Sequence, residues 1–258
     1  MEFLTQNHIN TTTQLTISNN TALGYYIFNR DPFFQYFSDG LNNDATTASI
    51  TITFDATTPV SRISLMDTNL RGFTIFYNGS TANTFSLTNG NTTASNYSSN
   101  SATSLYLKCG STTMVSSVTI DMKTTQTANN EKILGLFVLS DLYLSLTQIP
   151  SAKSYKPSRV PKQIVHTLSD GGVRLQNIRR KYNINISLDY LDSTQRDELN
   201  DIYELNNPFY FCPFGTATGW DKVLFESVWI GPFDFLEFSD NAASSGFSGS
   251  IKLKETPS

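Results

Sequence analysis

The sequence predicts a mainly β chain: an N-terminal jelly-roll β-sandwich followed by a C-terminal α+β module, an antiparallel sandwich with one helix. Three observations predict it. Apolar residues alternate with polar ones at a period of two along most of the 258 residues, as half-buried strands require. Clusters of Asn, Gly, Ser and Thr punctuate those runs at turn spacing. A single stretch, DSTQRDELNDIYELNN (192–207), breaks the pattern with a helical period.

Within the first half, strands are expected at SITITF (49–54), VSRISLMD (60–67), FTIFYN (73–78), SLYLKC (104–109), SVTIDM (117–122) and ILGLFVLSDLYLSL (133–146). Short, regularly spaced strands without helical period point to an antiparallel jelly-roll sandwich. The richness in Thr, Asn and Ser follows, because Thr favours strands while Asn and Ser favour turns.

Residues 148–162, QIPSAKSYKPSRVPK, hold three prolines and four basic residues and no acid. Pro150, Pro157 and Pro161 exclude a helix and any central strand, so an extended connector is expected here. Charge density also changes across the chain. Residues 1–130 contain 5 Lys/Arg and 7 Asp/Glu, leaving 13 and 15 of the totals of 18 and 22 for residues 131–258. The expected organisation is therefore domain 1–147, linker 148–162 and domain 163–258.

The second half opens with two strands joined at Ser169-Asp170-Gly171-Gly172, and KYNINISLDYL then alternates into the helix. Asp192 and Gln195 have the spacing of a capping box. Leu199, Ile202 and Tyr203 form one apolar stripe, and Asn206-Asn207-Pro208 stops the helix. An aromatic strand with Phe209 and Phe211 follows, then strands within 223–240 and 246–255. A lone amphipathic helix must bury its stripe on a sheet, so it is expected to close one face of this module.

Composition excludes several classes of function. With a net charge of -4 and pI near 5.2, nothing draws the chain to nucleic acid or to an anionic membrane. No apolar run approaches the roughly 20 residues of a membrane helix, and MEFLTQNHIN shows no secretion signal. Cys109 and Cys212 read as free buried thiols of a protein made in a reducing compartment.

Catalytic patterns are lacking. His8 and His166 sit in no metal spacing and read as surface or capping groups. GFSGS (246–250) is not a nucleophile elbow, and there is no phosphate-binding loop. Asp234 and Glu237 would lie on opposite faces of one strand, which argues against a glycosidase pair. No enzyme is expected. The short loop DGLNND offers Asp39, Asn42, Asn43 and Asp44 as oxygen ligands for calcium, and ordinary turn chemistry explains the same letters. Tyr25, Tyr26, Phe33, Phe34 and Tyr36 offer rings on which a sugar could stack, or core.

Two resemblances add to this reading. The order YYIFNRDPFFQYFSDGLNNDATTASITITF, VSRISLMDTNLRGFTIFYNG and a closing apolar strand resembles a galactose-binding-like (discoidin) jelly roll over about residues 15–146. That resemblance implies sugar binding through end loops and a structural calcium. HTLSDGG, then KYNINISLDYLDSTQRDELNDIYELNNPFYFCPFG, then the tryptophan strands and GFSGSIKLKE resemble tail proteins of tailed bacteriophages over about residues 162–258. This implies a tail-tube-like fold and a distal-tail, tail-tip or baseplate component of the virion. It further implies partnership with its own copies in a ring and with other tail proteins, after synthesis in the host cytoplasm. Leu199, Ile202, Tyr203, Phe209 and Phe211 are then the residues expected to underlie assembly, and a host glycan the expected ligand of the jelly roll. The alternative is a carbohydrate-binding adhesin or accessory module of another surface system.

Overall fold

A computed structural model of the chain describes residues 1–29, 34–38, 44–89, 92–146, 155–167, 173–214, 224–239 and 245–256. It is mainly β, with antiparallel sheets and, among the described residues, one α-helix. The chain divides into two compact units, one built on Leu4–Leu142 and the other on Met1–Phe3, Tyr143–Pro213 and Phe225–Pro257.

In the first unit, the paired runs expected at 49–54 and 60–67 are one strand, Ala48–Met66, and those at 104–109 and 117–122 are another, Leu105–Thr125. The two pair antiparallel, with register breaks between Lys108 and Thr113 and between Val115 and Ser117. Each strand changes its other neighbour along its length. The first part of 48–66 pairs with Leu15–Ile17 and its last part with Leu136–Ser140. Likewise 105–125 pairs first with Leu87–Asn89 and later with Leu70–Tyr77. Ile50 and Ile52 share one buried cluster with Ile63, Leu65, Leu105, Leu107, Val118 and Ile120. Both parts of each long strand thus face the same core, and the irregular register is where the sheet bends into a sandwich. Thr and Ser form polar rungs between these strands, with Thr51 bonded to Thr119 at 2.9 Å and Ser49 donating to Asp121 at 2.6 Å.

The second unit is a sheet in the order Leu142–Ser145, Glu2–Leu4, Phe209–Cys212, Phe225–Trp229, Ser245–Glu255, Val173–Leu191, Tyr155–Thr167, with Phe235–Ser239 also on the 245–255 strand. Two expectations are corrected here. Residues 155–162 are not a connector: they belong to an edge strand paired with 173–191 from Tyr155↔Ile186 to Thr167↔Val173. Prolines are compatible with an edge because an N–H that would point away from the sheet is dispensable. Residues 148–154 lie outside the described set. Nor is 1–147 one unit, because Met1–Phe3 and Tyr143 onward belong to the second unit. Phe3 is fully buried there, with its ring centroid 5.9 Å from Phe209 and 5.1 Å from Phe211. The N-terminal ammonium donates to the Leu146 carbonyl at 3.0 Å.

The helix, Ser193–Glu204, begins as its sequence predicts. Gln195 N donates to Asp192 Oδ1 at 2.8 Å, and Asp192 N to Gln195 Oε1 at 3.2 Å. Leu199 and Ile202 are its buried residues, and Arg196 lies 4.7 Å over the Phe247 ring of the 245–255 strand. Asn206 ends it with a left-handed φ of 49°, donating its N–H to the Tyr203 carbonyl at 3.2 Å.

Candidate functional site

The sequence stretch richest in aromatics folds first as a 3-10 helix, Thr21–Ile27. Ile27 is fully buried. Gly24 allows close approach to the 15–17 strand, since a Cβ there would meet Ile17 Cδ1 at 2.8 Å. With that face committed to packing, the neighbouring rings turn outward. Tyr25 is 49% exposed and Tyr26 half-buried, while Phe34, beyond the helix, is 57% exposed. The Tyr26 and Phe34 rings stack at 5.5 Å and 22°. Tyr25 meets Tyr26 at 5.8 Å and Phe28 at 5.5 Å, both edge to face. Four rings, Phe34, Tyr26, Tyr25 and Phe28, thus form a continuous row. Of the residues expected to stack on a sugar, Phe33 lies outside the described residues.

Tyr36 does not join the row, which is a correction. It is fully buried, and its hydroxyl donates to the Asn19 carbonyl at 3.0 Å. Burial pushes its pKa up to about 12. The reason is the backbone: Tyr36 sits on a strand, Tyr36–Phe37, paired with Ile133–Leu134, and alternation sends its side chain into the core while Phe37 remains partly exposed.

The calcium expectation also changes. Asp39, Asn42 and Asn43 lie outside the described residues. Asp44, the remaining candidate ligand, already accepts from Thr125 N and Thr125 Oγ1, each at 3.1 Å, and its own N–H donates to Asn129 Oδ1. Desolvation works against its charge, but the bonds from Thr125 and Asn129 and the nearby Lys132 ammonium outweigh it and hold the carboxyl below its ordinary value. Lys132 is fully buried; desolvation lowers its pKa and Asp44 opposes that. A cationic side chain thus already serves Asp44, and a divalent ion beside it would meet like charge. Among the described residues, no group of three or more His, Cys, Asp or Glu could hold a metal ion. Lys132 gives no signal in sequence, where EKIL reads only as the start of a strand.

Of the residues expected to underlie assembly, Leu199, Ile202, Phe209 and Phe211 are core. They brace the module and present no surface to a partner. Tyr203 is half-buried in a second aromatic group, 5.5 Å from Trp229 and 5.6 Å from Phe233, and Phe233 is 4.7 Å from Phe235. Gly249 makes room for this group, because a Cβ there would meet Phe235 Cδ1 at 2.6 Å. That accounts for the second glycine of GFSGS.

The remaining reactive candidates are quiet. Cys109 and Cys212 are buried thiols in no disulfide, and burial pushes the Cys109 thiol up to about 12 despite the pull of Arg62. Asp234 and Glu237 are both exposed. His8 is half-buried, its N–H donating to the Leu139 carbonyl at 2.8 Å.

No protein-family model matches the chain, and no curated protein matches it. Among solved structures, it is similar to a point mutant of chitosan-binding module 1 from a chitosanase/glucanase of Paenibacillus sp. IK-5. The identity is 12% and the TM-score 0.39, over 54% of this chain and 99% of that one.

Proposed function

We propose that this is a non-catalytic carbohydrate-binding protein whose first unit meets glycan through the row Phe34, Tyr26, Tyr25 and Phe28. The observation that supports this is the exposure of Tyr25, on a 3-10 helix whose opposite face is packed, and of Phe34 beyond it, joined through the half-buried Tyr26 and backed by Phe28, which packs against the core. The rings pack on one another, stacked at Tyr26–Phe34 and edge to face at Tyr25, so the surface left for a sugar is the exposed part of Tyr25 and Phe34. This reading assigns no metal ion to the site, because contact with the sugar is made by the rings. A glycan array probed with the full chain tests it. Wild type should bind one glycan class, unaffected by chelator, and Tyr25→Ala/Phe34→Ala should lose that signal while remaining folded. Absence of any glycan signal, or equal binding by the double variant, would refute it.

A second reading, that the chain is a structural component assembling with its own copies, as in a phage tail, has one supporting observation. Leu236 is 72% exposed on the 235–239 strand of the second unit, and Ile230, 37% exposed, shares that unit. Large exposed aliphatic side chains favour contact with a partner, here a second copy. Edge pairing through 155–161 is disfavoured, because Pro157 and Pro161 leave that edge short of donors. Sedimentation of the wild type against Leu236→Asp decides this. Assembly that the substitution abolishes supports the reading, and a monomeric wild type at high concentration refutes it.

A further inference from the structure

The end of the helix borders a pocket of about 480 Å³, lined by Tyr203, Glu204, Asn206, Asn207, Trp229 and Gly231 among others. Its size falls within the range of about 300–1,000 Å³ common to small-molecule sites. We propose that it binds a neutral, hydroxyl-rich ring of pyranose size. This site lies in the second unit, is separate from the aromatic row of the first, and does not depend on the proposal made for that row.

Three independent features carry the assignment. First, Trp229 Nε1 is buried and has no hydrogen-bond partner. A buried orphan donor costs free energy and is uncommon, and a small rotation of the indole toward the pocket that Trp229 lines would let a ligand oxygen satisfy it. Second, the polar groups at the rim supply both senses of hydrogen bond. Asn206 and Asn207 are exposed amides that donate and accept, and the exposed Glu204 only accepts. A sugar hydroxyl both donates and accepts, so it matches such a mixture, whereas a purely accepting anion does not. Third, the field is negative. The helix has no basic residue in its last turn to offset the negative end of its dipole, and Glu204 adds a charge of the same sign there. No lining side chain is basic, and the nearest cation is the exposed Lys252, whose stem passes Gly231. Uronic and sialic acids should therefore bind more weakly than neutral sugars. The edge-to-face Tyr203 and Trp229 rings, 5.5 Å apart, give the wall against which the apolar face of a pyranose can rest.

Local sequence builds this geometry. Asn206 adopts the left-handed φ that reverses the chain immediately after the helix, so the amides of 206 and 207 follow directly on Tyr203 and Glu204. Gly231, at φ 89°, turns the opposite wall just after Trp229.

The chain has two tryptophans, so full-length Trp220→Phe leaves Trp229 as the sole indole. Its fluorescence and its indole N–H resonance are followed during titration with glucose, galactose, mannose, N-acetylglucosamine, glucuronate and tetramethylammonium. The expected result is a saturable fluorescence change and a downfield shift of the indole proton with at least one neutral sugar, and binding of glucuronate weaker by about tenfold or more. Asn207→Ala, checked for fold by circular dichroism, should weaken that sugar about tenfold. Tyr25→Ala/Phe34→Ala should leave it unchanged, which separates this site from the other. Silence with every neutral sugar, equal binding of glucuronate, stronger binding of tetramethylammonium than of any sugar, or an Asn207→Ala variant like the parent would each overturn the assignment.

Discussion

The two units handle aromatic side chains in opposite ways. In the first, Tyr25 and Phe34 are exposed, Tyr25 on a short 3-10 helix whose buried side is Ile27 and Gly24, and Phe34 beyond it, stacked on Tyr26. In the second, Tyr203, Trp229, Phe233 and Phe235 gather where the α-helix ends, and the group opens into a pocket. The contrast arises from how each unit closes. Long bent strands let the first fold its sheet around one core, so extra rings are surplus to packing. The second, a sheet with one helix, uses its rings to seal that helix onto the strands. The exposed rings of the first unit are the ones the proposed glycan contact uses, whereas most rings in the second are structural, and the orphan indole of Trp229 is the exception.

The largest test of this contrast is Ile202→Asp. Ile202 is 2% exposed on the helix face, and an unpaired carboxylate there should cost several kcal/mol, about 3–5. In chemical denaturation followed by Trp fluorescence, the transition of the second unit should disappear, while Tyr25→Ala should shift no transition by more than about 0.5 kcal/mol. The full chain is the right material. A fragment beginning at 163 would lack Phe3 against Phe209 and Phe211, and the 155–162 edge.

Next comes Tyr36→Ala against the same Tyr25→Ala. Both are tyrosines of one aromatic run, yet emptying the fully buried site should destabilise by about 3–5 kcal/mol. Tyr36→Phe, which removes only the bond to the Asn19 carbonyl, should cost about 1 kcal/mol. If Tyr36→Ala were as mild as Tyr25→Ala, the division between core ring and displayed ring would fail.

That pair also shows what is legible in the sequence. The helix can be read to its cap, because Asp192 and Gln195 lie three residues apart and their reciprocal hydrogen bonds need nothing from the rest of the chain. Strand positions can be read from alternation, but SITITF and VSRISLMD cannot be seen to be one strand, because a bend is set by tertiary closure. The row of rings is only half legible. YYIFNRDPFFQYF carries no mark of where helix gives way to strand, and that change decides that Tyr25 faces out and Tyr36 in. The 155–162 strand escapes sequence reading because Pro157 and Pro161 argue only against a central strand, and an edge is a property of the partner strand. The pocket is invisible: Asn206-Asn207-Pro208 reads as a helix stop, and Trp229 is about twenty residues away.

A smaller effect tests whether the helix is secured by its own cap or by the sheet. Asp192→Ala removes the acceptor for Gln195 N and should destabilise the second unit by about 1 kcal/mol. The first unit's transition should not move. Loss of several kcal/mol would mean that the cap, and not burial of Leu199 and Ile202, holds the helix in place.

The smallest expected effect distinguishes the units by pH. His8 belongs to the first unit, where burial lowers its pKa below 6.5, against the opposing influence of the Pro59 backbone and Asp141. Folding therefore favours the neutral imidazole. Above about pH 6.5 neither state binds the proton and stability is unaffected. As pH falls below 6.5, the unfolded chain takes up a proton that the folded unit resists, so stability declines until the folded pKa is reached. Asp44 acts in a separate window, because its lowered pKa contributes stability above its ordinary value of 3.8 that is lost only in stronger acid. Denaturation midpoints between pH 7.5 and 5 should consequently show a modest fall for the first unit, and His8→Gln should flatten it. A slope that survives His8→Gln would place the proton uptake on another group and remove His8 from the account.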